Sequence, residues 1–163
     1  MRVRSPTPSE LLRLRGIAKY QFSDRVANAF FPKSSNRDLR VEVTGKGSIR
    51  GVFHGEKRLA TLRPSDGLFS LSLHGAQLIL NVESPPRFRV IIKCSREISG
   101  GILVGDYIEM DPLLRPGDEA IVVDEHDRLI GVGRLRIPRE MIPGLSRGEI
   151  VRLRRRAVKC AED

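Results

Sequence analysis

Tryptophan is absent from this chain, aromatic residues make up only 5% of it, and two cysteines are all it has. With so few aromatics, Phe22, Phe69 and Phe88 are read as core residues rather than base-stacking platforms. Tyr107, beside Asp106, is the aromatic left as a stacking candidate. Cys94 and Cys160 lie far apart and make no metal-ligand spacing. They are read as two free thiols, with a disulfide kept open for a chain from a hyperthermophile. No apolar run reaches the roughly eighteen residues of a membrane helix, so no membrane partner is expected. The first eight residues, Met1-Arg2-Val3-Arg4-Ser5-Pro6-Thr7-Pro8, carry no apolar stretch behind their charges. The expectation is a cytoplasmic chain without a secretory signal. His54, His74 and His126 stand isolated, and no serine, cysteine or carboxylate pattern joins them into a catalytic set.

What the chain does have is positive charge. Lysine and arginine number 29 against 20 acidic residues, a net charge of +9. Residues 1–40 hold nine basic and three acidic side chains, and residues 134–159 hold nine and two. The stretch between these ends is slightly acidic. Such a balance suits a polyanion, provided folding gathers the basic ends. Hydrophobic residues at 40% supply a real core and exclude a wholly disordered chain.

Periodicity divides the chain. Leu11, Leu12 and Leu14 predict a helix from a Ser9 cap, ended or bent at Gly16. Phe22, Val26, Ala29 and Phe30 predict a second between Tyr20 and Phe31, broken by Pro32-Lys33-Ser34-Ser35-Asn36. Alternation at Leu39, Val41 and Val43 opens a run of antiparallel strands, continuing through Ile49–Phe53, Leu59–Leu62 and Leu68–Leu71. A helix over 72–81 follows, capped by Ser70 or Ser72. Ser84-Pro85-Pro86 is the best boundary, short and stiff enough for packed domains. Beyond it, short strands begin at Phe88, Ile102, Ala120, Leu129 and Ile150, separated by turns such as Arg115-Pro116-Gly117-Asp118. That rhythm predicts a small closed barrel, with Gly131 and Gly133 relieving crowding where it bends. The divisions are a loose arm at 1–8, one domain over 9–83, a second over 86–158, and a tail at 159–163.

Three stretches carry a resemblance. Ile98-Ser99-Gly100-Gly101-Ile102 is followed by Leu113-Leu114-Arg115-Pro116-Gly117-Asp118-Glu119-Ala120-Ile121-Val122-Val123-Asp124, and then by Leu129-Ile130-Gly131-Val132-Gly133-Arg134. Their order and spacing resemble the PUA domain, the small barrel of pseudouridine synthases and archaeosine transglycosylases. In the first half, Arg15–Phe22 and Leu59–Leu73 look like the segment before the PUA domain in archaeal tRNA-guanine transglycosylases. The resemblance spans roughly residues 11–156. It implies an α+β fold: an N-terminal α/β pre-PUA domain packed on a mostly antiparallel PUA pseudo-barrel. The catalytic barrel of that family, with its aspartates and zinc-binding cysteines, has no counterpart here. The resemblance therefore implies non-catalytic binding of structured RNA, tRNA near its acceptor stem and 3′ end first, with no cofactor and no metal. The chain would then act as a stand-alone or accessory subunit for RNA modification, with a catalytic RNA-modification subunit as a candidate partner. A ribosome-associated or ribosome-assembly factor is the alternative, and oligomeric state is left open.

Candidate RNA-contacting residues follow. Ile98, Gly100, Gly101, Ile102 and Leu103 match the PUA element that supports an RNA 3′ end, where glycine lets a phosphate approach the backbone. Arg134, Arg136, Arg139, Arg147, Arg152, Arg154, Arg155 and Arg156 would neutralise phosphates without reading bases. Strand alternation places Arg152 and Arg154 on one face. Arg13, Arg15, Lys19, Arg25 and Lys33 form a secondary RNA or partner surface. Residues 103–127 hold eight acids against one arginine, a surface RNA should avoid. Asp106, Glu109 and Asp111 within it fall short of the converging oxygens a hard cation needs.

Overall fold

The computed structural model describes residues 1–34 and 37–160. The chain forms two compact units, Met1–Glu83 and Ser84–Asp163.

The first unit is a five-stranded antiparallel sheet, β1 (Arg2–Arg4), β2 (Leu39–Val43), β3 (Ile49–His54), β4 (Lys57–Leu62) and β5 (Phe69–Leu71), in that spatial order. Helices α1 (Pro8–Gln21), α2 (Asp24–Phe30) and α3 (Leu73–Val82) pack with it. Strand alternation buries Leu39, Val41 and Val43, and the helices answer with Leu14, Ala18, Val26, Phe30 and Ile79. The phenylalanines do form the core. Phe31 meets Phe30 edge-on at 6.0 Å and leans on Phe69 at 6.2 Å.

Three expectations for this unit are corrected. The arm at 1–8 is not loose: β1 pairs with β2, Arg2 opposite Val43 and Arg4 opposite Val41. Arg4 also grips Glu10 through two hydrogen bonds of 2.7 and 2.8 Å. Helix α1 begins at Pro8 under a Thr7 cap, in a capping box with Glu10, rather than at Ser9. It also runs straight through Gly16. An exposed helical glycine costs only about 1 kcal/mol, and the buried neighbours Leu14 and Ala18 hold the helix down. Ser23 and Ser72 cap α2 and α3. Ser35 and Asn36 of the expected break lie outside the described residues. Gly75 is dictated by packing, since a Cβ there would overlap the carbonyl oxygen of Leu59.

The second unit is a curled six-stranded sheet. Its strands are β6 (Arg89–Ile92), β7 (Gly101–Leu103), β8 (Tyr107–Met110), β9 (Glu119–Val123), β10 (Leu129–Leu135) and β11 (Glu149–Arg156). They lie in the order β7-β11-β10-β9-β6-β8, antiparallel except for β6 beside β9. Val90, Ile92, Ile102, Val122, Ile130 and Ile150 fill the interior. Gly133 lets β10 and β11 close up: a Cβ there would overlap the carbonyl of Arg152. The register slips between Val132 and Gly133, so Val132 faces Arg155 while Gly133 faces Leu153. Arg154 is therefore the extra residue of a bulge.

The cysteines are not free. Cys94, just after β6, and Cys160, just after β11, form a disulfide with Cα atoms 4.9 Å apart. Curling the sheet brings these two strand ends together, which linear spacing could not reveal. Lys159 also accepts a 2.7 Å hydrogen bond from Ile98 N–H at its carbonyl, so the start of the expected tail is tied down. Residues 161–163 lie outside the described residues. Among the described residues, no helix is long and apolar enough to cross a membrane.

Candidate nucleic-acid interface

Residues facing each other across antiparallel strands share one face of the sheet. Arg134 on β10 faces Arg152 on β11, and Arg152 faces Gly101 on β7. This makes a row of two arginines ending at the glycine turn. Like charges placed directly opposite disfavour the sheet by a few tenths to about 1 kcal/mol. Arg136, just beyond β10, extends the row. Beside it lies a hollow of about 580 Å³, lined by these three arginines, Arg154, Leu135, Leu153 and Gly117.

Two carboxylates regulate this face. Glu149 receives Arg152 at 2.9 Å and Arg136 at 3.7 Å. Glu119, fully buried, is held by Arg154. Arg152 and Arg154 both line the hollow. Arg154 is half-buried against Glu119, and Arg152 and Arg155 are the exposed pair. Arg154 is a positioning residue, anchoring β11 to β9.

The glycine turn is also refined. Neither Gly100 nor Gly101 adopts a left-handed φ. Gly100 opens to solvent, and its carbonyl accepts from Leu153 N–H at 3.2 Å. Gly101 is small because the Glu149 carboxylate fills the space a Cβ would need. The side chains of Ile98 and Ile102 cannot touch a ligand, because both are fully buried and support the turn from beneath. Leu103 is 43% exposed at the rim. Arg156 donates to the Ile98 carbonyl and locks β11 to the turn. Arg147 is exposed in the loop before β11. Tyr107 packs on the core and lies beside Arg139 rather than in the arginine row. Burial pushes its hydroxyl pKa up, against the pull of Arg139.

The acidic stretch 103–127 looks different once folded. Asp106 pairs with Arg96, Asp111 with Arg87, Glu119 with Arg154, Asp124 with Arg128 and Asp127 with Arg89. Four of these acids are buried. Five of the eight acids thus serve as braces, while Glu109, Asp118 and Glu125 stay exposed. Arg89, fully buried, meets Asp127 through bonds of 2.7 and 2.9 Å. Asp106 binds Arg96 at 2.7 and 2.6 Å and accepts from Leu103 N–H at 2.8 Å, bracing the glycine turn. Sequence reasoning missed Arg96 and Glu149, whose roles come from distant partners. Among the described residues, no group of three or more histidines, cysteines or carboxylates could hold a metal.

In the first unit, Arg15 donates to the Phe31 carbonyl and to Asn28 Oδ1, so it closes α2 rather than facing a ligand. Lys19 lies 3.5 Å from Asp24, both exposed. Arg25 and Lys33 are exposed and separate, and Arg13 lines a different hollow.

Residues 12–86 match the family model of the patch-forming domain C2 of tRNA-guanine transglycosylase. Over 159 residues the chain is 34% identical to the tRNA-guanine(15) transglycosylase of Pyrococcus furiosus, covering 94% of this chain and 26% of that one. For the Thermoplasma volcanium protein of that name, identity is 34% over 149 residues, covering 88% and 23%. The chain resembles the C2-plus-PUA part of archaeal tRNA-guanine transglycosylases. It spans about a quarter of the length of those relatives. Solved structures agree on the fold of the PUA-like unit and its partner. A PUA domain from Aeropyrum pernix K1 superposes with a TM-score of 0.64 at 16% identity, covering 95% of this chain and 85% of that one. A conserved PUA domain protein from Thermoplasma acidophilum gives 0.60 at 17%, covering 93% and 91%.

Proposed function

We propose that this chain binds structured RNA without transforming it, and that tRNA, near its acceptor stem and 3′ end, is the ligand. Its partner would be a catalytic RNA-modification subunit, matching the activity named for its relatives. The observation that carries this reading is the row Arg134–Arg152, set opposite each other on the PUA-like unit with Arg136 and Arg155 beside them. Arginine forks on a sheet face neutralise phosphates and fix the register of a duplex without reading its sequence. The hollow with its leucine floor adds an apolar seat beside those charges. In an acceptor stem, shape and 2′-hydroxyls would be recognised, and the unpaired end would supply bases for such a seat.

The test is a gel-shift titration of deacylated tRNA at low and moderate salt. Affinity should fall steeply with salt, with a log–log slope of about −0.9 per phosphate neutralised. Arg155→Ala should flatten that slope by about 0.9. Absence of binding at micromolar protein and low salt overturns the reading.

A further inference from the structure

We infer that the C2-like unit carries its own contact for RNA phosphates, a hollow of about 540 Å³ where α1 meets the β2–β3 turn and the end of β4. The inference rests on the RNA-binding reading but uses a different unit and different residues. Arg13 and Ile17, four apart on one face of α1, form one wall. Lys46 in the β2–β3 turn, Arg50 on β3 and Arg63 just past β4 form the others. Ile49 and Leu62, both buried, sit among them.

Charge is the deciding feature. Four cations line the hollow and no carboxylate does. Elsewhere this chain habitually gives an arginine an acid: Arg4 has Glu10, Arg58 has Glu42, Arg89 has Asp127, Arg96 has Asp106 and Arg128 has Asp124. Within the hollow, Arg63 follows that habit, held by Asp66 at 3.1 and 2.9 Å. Arg13, Lys46 and Arg50 do not find an acid among the lining residues. A merely solvated face would mix both signs. Three cations gathered beside an apolar floor repel one another, and an anion is what relieves them.

The turn between β2 and β3 suits a strand lying across it. Thr44 N–H donates to the Ser48 carbonyl and Gly47 N–H to the Thr44 carbonyl, both at 2.9 Å. Gly47 has φ of +84°, a conformation glycine alone adopts freely. Open space surrounds the Cβ positions of Gly45 and Gly47, so a ligand backbone can approach closely. On the other side of the same turn lies a second hollow of about 550 Å³, lined by Arg2, Val43 and Lys46. Lys46 is common to both, which spaces cations along a path rather than around a point. Neither hollow offers an aromatic side chain to stack on a base. The ligand class is therefore the sugar–phosphate backbone of RNA, bound without sequence choice.

The experiment follows fluorescence anisotropy of labelled tRNA on the full chain, between about 50 and 200 mM salt. The variant Arg13→Ala/Lys46→Ala/Arg50→Ala is compared with Arg134→Ala/Arg152→Ala/Arg155→Ala. The first should lose roughly 2–3 from the salt slope and at least about tenfold in affinity, since each phosphate contact carries about 0.9 of slope. If the wild type binds, the second variant weakens it and the first changes neither affinity nor slope, this inference is overturned while the RNA-binding reading stands. If the wild type binds no RNA, both fall. Circular dichroism checks that the first variant is folded. If it is not, the single charge reversal Lys46→Glu, in an exposed turn, is measured instead, and an unchanged affinity there overturns the inference.

Discussion

Reducing the Cys94–Cys160 bond should bring the PUA-like unit close to unfolding. The two residues are 66 positions apart, so the bond closes a loop that holds nearly the whole unit. In the chain-entropy account, closing a loop of that size removes roughly 15 cal/mol/K from the unfolded chain, or about 4 kcal/mol at 25 °C. A unit of this size has roughly 4–12 kcal/mol of stability in total. The bond therefore supplies a third or more of it. The assay exploits the scarcity of aromatics. The chain has two tyrosines and no tryptophan, and Tyr20 is 82% exposed in the other unit. Tyr20→Phe leaves Tyr107 as the sole tyrosine reporter of this unit. Urea unfolding followed by Tyr107 fluorescence, with and without reductant, should show a midpoint lower by roughly 2–4 M, taking a slope of about 1–2 kcal/mol/M. Thiol titration should find none before reduction and two after. Two titratable thiols in the untreated protein, or a midpoint insensitive to reductant, would refute the reasoning.

Other outcomes can be checked alongside. Gly133→Ala should destabilise the PUA-like unit by about 2 kcal/mol or more, because its methyl has to displace the Arg152 backbone; the same melt checks it. Arg154→Ala should destabilise, by about 1–3 kcal/mol, since it removes a guanidinium that holds the buried Glu119, whereas Arg155→Ala should weaken RNA binding and leave the melt unchanged. Glu10 is held down to about 2, first by the Arg4 hydrogen bond and then by Thr7 N–H. Burial raises the Asp124 pKa, but the N–H groups of Arg128 and His126 outweigh it, leaving a net lowering. Both carboxylates are depressed on folding, so their contribution is complete above the ordinary carboxylate range near pH 4 and is lost as pH falls through the folded values. Thermal melts should therefore decline below about pH 4, and Glu10→Gln, which keeps the capping box but loses the ion pair with Arg4, should remove part of that decline while costing about 0.2–1 kcal/mol at neutral pH.

Local rules made most elements of this fold legible. Alternation at Leu39, Val41 and Val43 and helix spacing at Val26 and Phe30 are read from neighbours a few residues apart. The missed features all depend on partners far along the chain. The N-terminal arm became a strand because β2 offers it an edge. Helix α1 survives Gly16 because of what Leu14 and Ala18 pack against. The acidic stretch turned into braces because folding delivers an arginine to five of its acids. At the candidate interface, Arg134, Arg136, Arg152 and Arg155 were legible as basic residues on strands. The role of Arg154 was not, because its carboxylate partner Glu119 lies 35 residues away in sequence and meets it only across the sheet.

By itself the sequence determined composition-level facts: a surplus of positive charge at both ends, too few aromatics for a stacking surface, a strand-rich second half, and glycines where strands crowd. These depend on counts and on short-range periodicity, which the chain carries in any conformation. Only the tertiary structure decided which charges are spent and which are left. Arg96 and Arg154 are paired with buried carboxylates and the buried Arg89 with the half-exposed Asp127, while Arg134, Arg152 and Arg155 are exposed, Arg152 beside Glu149, and Arg13, Lys46 and Arg50 gather in a hollow that no carboxylate lines. The reason is that a charge is neutralised by what lies within a few ångströms in space, and the curl of the sheet, not the order of residues, sets that distance.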